Sequence, residues 1–230
     1  MKNILVAIIV FLCISTFAQV QELRQYKSIP EEQIVFNINL NRWSKYPDNM
    51  KIEPQSMGID VYYMYPVVGK NKIFSIAAGA GFSVQNIKSN INVLDSMGMS
   101  VFTSIPDTIK YSKNKFSTVY FDIPIEFKLR SRPIVKKRNV KFIIGAKLGV
   151  LIQSYQKYEG DNIYHIGTNN KIKYKTYHIK NLLPYHYGVY LRMGYGKFSV
   201  TSYMSLSYLF EKNKAMQITP YSIGLAITVF

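Results

Sequence analysis

Apolar and polar residues alternate with a period of two along most of this chain. That is the period of a β-strand, whose side chains point to opposite faces in turn. Over 34–41, Ile34, Phe36, Ile38 and Leu40 alternate with Val35, Asn37, Asn39 and Asn41. Over 57–65, Met57, Ile59, Val61, Tyr63 and Tyr65 oppose Asp60 and Tyr62. The same alternation fills 74–85, 117–130, 140–153, 185–195, 198–208 and 219–229, with Ile152 on the apolar row of 140–153 and Gln153 on the opposite row. These predicted strands run to about 8–14 residues, where a soluble strand averages nearer 5–6 and a tilted membrane strand needs about 9–11. No segment keeps helical spacing with helix caps over a comparable length.

The links between the eight strands sort by length. They fall at about 43–56, 67–73, 87–115, 131–139, 155–178, 194–197 and 209–218, long and short in alternation, starting long. An even-numbered outer-membrane barrel with both termini in the periplasm does this, with long loops outside and short turns inside. The pattern therefore predicts an all-β chain: an eight-stranded antiparallel up-and-down transmembrane β-barrel. The rival is a soluble lipocalin-like barrel with its apolar rows inside. Sidedness favours the membrane form, because the bulky rows are apolar while the opposite rows are mainly Gly, Ala, Ser, Thr and Asn. An eight-stranded interior is narrow enough to need small residues. Tyr65, Tyr155, Tyr185, Tyr195, Tyr208 and Tyr221 fall near strand ends, where interfacial girdles lie.

One apolar run is long enough to matter on its own. Met1-Lys2 precede an apolar stretch from Ile4 to Phe17, and Thr16-Phe17-Ala18 supplies small residues at −3 and −1. This reads as a secretory leader over 1–18, cleaved near Ala18, ahead of a barrel domain over 19–230. The run is shorter than the roughly 20 residues that span a bilayer as a helix. The only cysteine, Cys13, leaves with the leader, and Leu12 before it does not suit a lipoprotein site.

Composition adds a large positive charge. The 230 residues carry 29 Lys+Arg against 13 Asp+Glu, a formal net charge of +16. By itself that suggests nucleic acid or an anionic membrane. Export removes nucleic acid from the expected partners. The lysines of the long links, among them Lys88, Lys110, Lys113, Lys115, Lys157, Lys171, Lys173, Lys175, Lys180, Lys212 and Lys214, then face outer-membrane lipid and lipopolysaccharide, or merely solvent.

Several segments resemble an outer-membrane β-barrel domain family common in Bacteroidetes, the group that includes PorT-like proteins. They are Asp122-Ile123-Pro124-Ile125-Glu126-Phe127-Lys128, Phe142-Ile143-Ile144-Gly145-Ala146-Lys147-Leu148-Gly149 and Gly188-Val189-Tyr190-Leu191-Arg192-Met193-Gly194-Tyr195-Gly196. The resemblance covers the mature chain and implies architecture rather than a reaction. It implies location in the outer membrane and delivery by the barrel-assembly machinery. It also implies that the terminal Phe230 serves as an assembly signal, although Phe230 is out of phase with Ile223, Leu225, Ile227 and Val229. Pro124 removes a ladder donor from a strand, and a bulge is expected there.

The predicted inward rows bring charges together: Asp60, Asp122, Glu126, Lys128, Arg130, Lys141, Lys147, His186 and Arg192. Unpaired charges in a narrow lumen are costly, so a salt-bridged plug is expected. A narrow gated solute pathway is the alternative. The turn carrying Arg132, Lys136, Lys137 and Arg138 faces the periplasm, where anionic headgroups or periplasmic and secretion-system proteins could dock. Chemistry is thinly represented. No His/Cys/Asp set has metal spacing, no phosphate- or dinucleotide-binding loop occurs, and no cofactor is expected. His165 and His178 lie in or near the third outer loop. A lipid-modifying barrel enzyme would need one of them beside a serine. The expectation is a barrel without catalytic activity whose loops meet the envelope or external ligands. The alternatives are a PorT-like accessory to secretion or gliding and the lipid-modifying enzyme.

Overall fold

A computed structural model of the chain describes residues 34–69, 73–131, 139–162 and 171–229. The expected leader, the basic turn Arg132–Arg138, His165 and Phe230 lie outside the described residues. Among the described residues eleven strands follow in order: β1 (Ile34–Ser44), β2 (Met57–Val68), β3 (Phe74–Lys88), β4 (Ile91–Ser96), β5 (Met99–Ser104), β6 (Tyr111–Arg130), β7 (Val140–Asp161), β8 (Lys171–Tyr177), β9 (Tyr185–Tyr195), β10 (Phe198–Ser205) and β11 (Thr219–Val229). Eight of them, β1, β2, β3, β6, β7, β9, β10 and β11, pair antiparallel in one ring. The seam joins first to last, from Ile34 opposite Val229 to Ser44 opposite Thr219. The predicted eight-stranded antiparallel barrel is therefore the observed fold. Closure gives each strand two neighbours, which is what hydrocarbon demands of backbone N–H and C=O groups.

The bulky rows face outward. Ile38 is 52 % exposed and Leu191 47 %, while their sequence neighbours Asn37, Asn39, Tyr190 and Arg192 are buried. Tyr185 and Tyr195 bound the outward row of β9. Ten steps at about 3.3 Å, tilted by about 40°, give an apolar band about 25 Å tall. The outward tyrosines Tyr65 and Tyr195 lie at the short-turn end, and Tyr185, Tyr208 and Tyr221 at the other. At the short-turn end Gly196, with φ of 58°, opens the two-residue turn between β9 and β10, where a left-handed backbone favours glycine.

The long links are more ordered than the sequence suggested. Residues 87–115 hold the β4–β5 hairpin and the start of β6, and 155–178 hold the end of β7 and all of β8. Above the barrel they enclose an apolar core that includes Trp43, Ile87, Phe116, Leu182, Phe210 and Ile218. Trp43 and Phe102 each make an edge-to-face ring contact there, Trp43 with Phe116 (5.3 Å) and Phe102 with Phe210 (5.4 Å). The barrel is thus lidded on the long-link side.

Four expectations need correction. Gln153 does not face inward: an extra residue, Ile152, sits between the pairs Val119–Gln153 and Tyr120–Leu151. This β-bulge reverses the phase, so Ser154, Gln156 and Tyr158 point inward beyond it. Pro124 makes no bulge. It stays in register opposite Lys147, and only the pairing with β3 lapses between Ala78–Ile125 and Gly81–Asp122 before resuming in the same register. β10 ends at Ser205 rather than 208, where the N–H groups of Leu206 and Ser207 both turn to the Tyr187 carbonyl. The inward rows are also not uniformly small, since Tyr62, Tyr120, Tyr190 and Tyr203 all point into the lumen and are buried.

The outward row sets a depth-dependent expectation. Leu191→Arg, near mid-membrane, should lower unfolding free energy in phospholipid vesicles by about 2–4 kcal/mol, and Tyr195→Arg, at the rim, by about 1 kcal/mol or less. Urea titration of the refolded variants measures both.

Candidate functional site

The lumen is where the charges meet. β6 aims Asp122, Glu126, Lys128 and Arg130 inward, β7 adds Lys141 and Lys147, β9 adds His186 and Arg192, and β2 adds Asp60. All nine are buried. Period two explains the placement, because each charge occupies the inward phase of its strand.

Asp122, with no exposed surface, is the hub of one cluster. Its Oδ2 accepts from the Tyr62 hydroxyl (2.8 Å) and the Lys147 ammonium (3.1 Å). Its Oδ1 lies 2.7 Å from His186 Nε2, and His186 Nδ1 lies 3.1 Å from the Tyr203 hydroxyl. With the imidazole proton on Nε2, the ring donates to Asp122 and accepts from Tyr203. Lys147 also donates to the Tyr62 oxygen (3.0 Å) and rests over the Tyr203 ring (4.2 Å to the centroid). Tyr120 packs against His186 with the rings tilted, at 4.1 Å between centroids. Beside this cluster Asp60 accepts from Asn39 (2.7 Å) and Asn37 (3.3 Å).

Glu126 is the second hub. It is bonded to the Arg192 guanidinium and the Tyr190 hydroxyl (2.9 Å), with Lys128, two residues along β6, at 3.3 Å. Nearer the short turns Arg130 donates to Ser75 (3.0 Å) and Lys141 to Thr228 (3.4 Å). The sequence placed all nine charges on inward phases. It did not single out the tyrosines and asparagines that complete their hydrogen bonds, although these sit in the same rows. Gly149 makes the Asp122 cluster possible. A Cβ there would run into the Asp122 carboxylate and the His186 imidazole.

Between the two hubs lies a cavity of about 20 Å³, lined by Asp60, Tyr62, Glu126, Lys147, Arg192 and Tyr203 among others. That is room for about one water molecule. The Asp122–His186–Tyr203 chain has the order of a proton relay, but it faces packed side chains. At the long-link rim His178 and Ser154 border a hollow of about 200 Å³. The Ser154 hydroxyl accepts from the Ile179 N–H (3.0 Å), and Ser154 is buried. Among the described residues no group of three His, Cys, Asp or Glu could hold a metal ion.

A family model for the outer membrane protein β-barrel domain matches residues 19–211. The chain belongs to that family. Two crystal structures of Ail, the attachment invasion locus protein of Yersinia pestis, are also similar, at 12 % identity. Each match covers 86 % of this chain and 97 % of that one, with TM-scores of 0.36 and 0.35. The second holds the heparin analogue sucrose octasulfate. No curated protein matches. As a member of the family, the chain is an outer-membrane protein, and its apolar outward rows face lipid.

Removing one member of a buried ion pair strands the other. Asp122→Ala should therefore destabilise the barrel by about 3–5 kcal/mol, while Asp122→Asn combined with Lys147→Met should recover most of the loss. Trp43 is the single tryptophan and is buried in the apolar core on the long-link side, so its fluorescence reports unfolding for both variants.

Proposed function

We propose that this chain is a closed, non-conducting and non-catalytic barrel, exported by a leader removed near Ala18. Its long-link end faces the outside as a rigid platform for envelope or external ligands. The observation that carries this reading is the filled lumen, in which side chains from six strands (β1, β2, β6, β7, β9 and β10) interlock around Asp122, Glu126 and Asp60. The apolar lid above the lumen supports it as well. Permeation would mean breaking buried ion pairs and then the lid. The apolar run from Ile4 to Phe17 and the small residues Thr16 and Ala18 support the leader. The outward orientation is supported by the sorted link lengths.

A second reading is a PorT-like accessory role in secretion, with Arg132, Lys136, Lys137 and Arg138 as a docking turn in the periplasm. It is favoured by the concentration of four basic residues on the short-turn side. Deleting the gene would then block export of secreted proteins, and unchanged export removes this reading.

In planar bilayers the purified protein should give no current steps above the lipid baseline; regular unitary steps would overturn the non-conducting reading. Met97 is 99 % exposed at the tip of the β4–β5 hairpin. Met97→Cys should react with a membrane-impermeant maleimide on intact cells, whereas a site that reacts only after lysis reverses the orientation.

A further inference from the structure

The sheet that rises beyond the lipid band turns a row of like charges outward. Lys88 on β3 stands opposite Lys115 on β6, Lys115 opposite Lys157 on β7, and Lys157 opposite Lys175 on β8. Directly opposite residues share a face, and like charges so placed destabilise a sheet. Four lysines therefore line up across four adjacent strands, over about 14 Å at about 4.8 Å per strand. Glu159, one step farther out, is opposite Lys113 and Lys173 and lies 3.6 Å from the Lys173 ammonium. Among the described residues no carboxylate pairs with the row itself. Lys88 reaches only the Gln55 amide oxygen (3.5 Å). Lys175 lies over the rings of Tyr155 (3.8 Å) and Tyr177 (4.3 Å), and Lys115 lies over Tyr155 at 5.5 Å.

The height of the row points to its partner. The last outward apolar residues below it are Val84 and Val119, each four residues from the row. Four steps at about 3.3 Å, tilted by about 40°, place the row about 10 Å above the hydrocarbon edge. The stems of Lys115 and Lys175 bend back toward it, since Tyr155 and Tyr177 lie on the membrane side of the row. Polar headgroups occupy that layer. Three other lysines of the long links differ: Lys173, Lys180 and Lys214 are already paired, with Glu159, Asp95 and Glu211.

We propose that the Lys88–Lys115–Lys157–Lys175 row is a binding face for the phosphate groups of outer-leaflet lipid headgroups, clamping a phosphorylated glycolipid against β6, β7 and β8. The assignment rests on the proposed outward orientation of the long links. It names which of the outer lysines act and on what chemistry.

The test uses the full barrel refolded in phosphatidylcholine nanodiscs, with bis-phosphorylated lipid A added and bound lipid counted by native mass spectrometry. Wild type should retain lipid A and bind the phosphate-stripped lipid far more weakly. The triple variant Lys115→Gln, Lys157→Gln, Lys175→Gln should lose about a hundredfold in affinity, and Lys157→Gln alone about fivefold. The control Lys180→Gln, Lys212→Gln, Lys214→Gln should bind as wild type does. Equal binding by wild type and row variants overturns the proposal. So does a soluble sulfated polysaccharide that needs the row while lipid A does not bind, because the partner is then a soluble polyanion. Trp43 fluorescence confirms that each variant has folded, and the single variant decides if the triple does not fold. Nanodiscs expose both ends of the barrel, so a reversed orientation in cells would show in the Met97→Cys labelling and leave lipid A binding intact.

Discussion

Every backbone N–H and C=O inside the hydrocarbon layer must find a partner within the protein, and the rest of this structure follows from that requirement. A sheet meets it only by closing. With eight strands, the seam of β1 on β11 completes the ring, and an eight-stranded ring leaves an interior that side chains fill. Among the described residues, nine acidic and basic side chains share that interior. In a low dielectric each must be neutralised or hydrogen-bonded. The Asp122 and Glu126 hubs are the outcome: each carboxylate meets a cation and at least one tyrosine hydroxyl.

The hubs also link strands that are not neighbours in the ring. Asp122 on β6 bonds across the ring to Tyr62 on β2 and His186 on β9, besides Lys147 on its neighbour β7, and His186 reaches Tyr203 on the adjacent β10. Ladder hydrogen bonds hold only adjacent strands together. The polar cluster adds struts across the ring, and the apolar lid adds a second set above it. The lumen is therefore packed twice over, once by charge and once by hydrophobic contact, and a solute would have to displace both.

The membrane-spanning part was legible in the sequence because a lipid-facing row imposes a strict period of two, and all eight spanning strands follow it. Legibility failed where that constraint ends. Beyond the band neither face needs to be continuously apolar, so β8 and the β4–β5 hairpin read as loop. The bulge at Ile152 exchanged the two faces of β7, which is why Gln153 was placed on the wrong side. Pro124 shows the reverse case, a residue that argues for irregularity yet sits in register because only one ladder lapses at its position. The charged positions of the lumen followed from phase alone. Their hydrogen-bond partners did not, because Tyr62, Tyr190 and Tyr203 resemble the girdle tyrosines in composition and differ only in phase.

The lid has a kinetic side as well. It joins Trp43 on the first strand to Phe210 and Ile218 in the last long link, so its parts are distant in the chain and cannot pack before the ends of the sheet meet. Contacts of such high sequence separation form slowly. The β6–β7 pairing that brings Asp122 to Lys147 needs no such closure. Assembly of this barrel thus has a natural last event: the lid sets only when the ring is complete, and the environment of Trp43 separates a closed barrel from an open curved sheet.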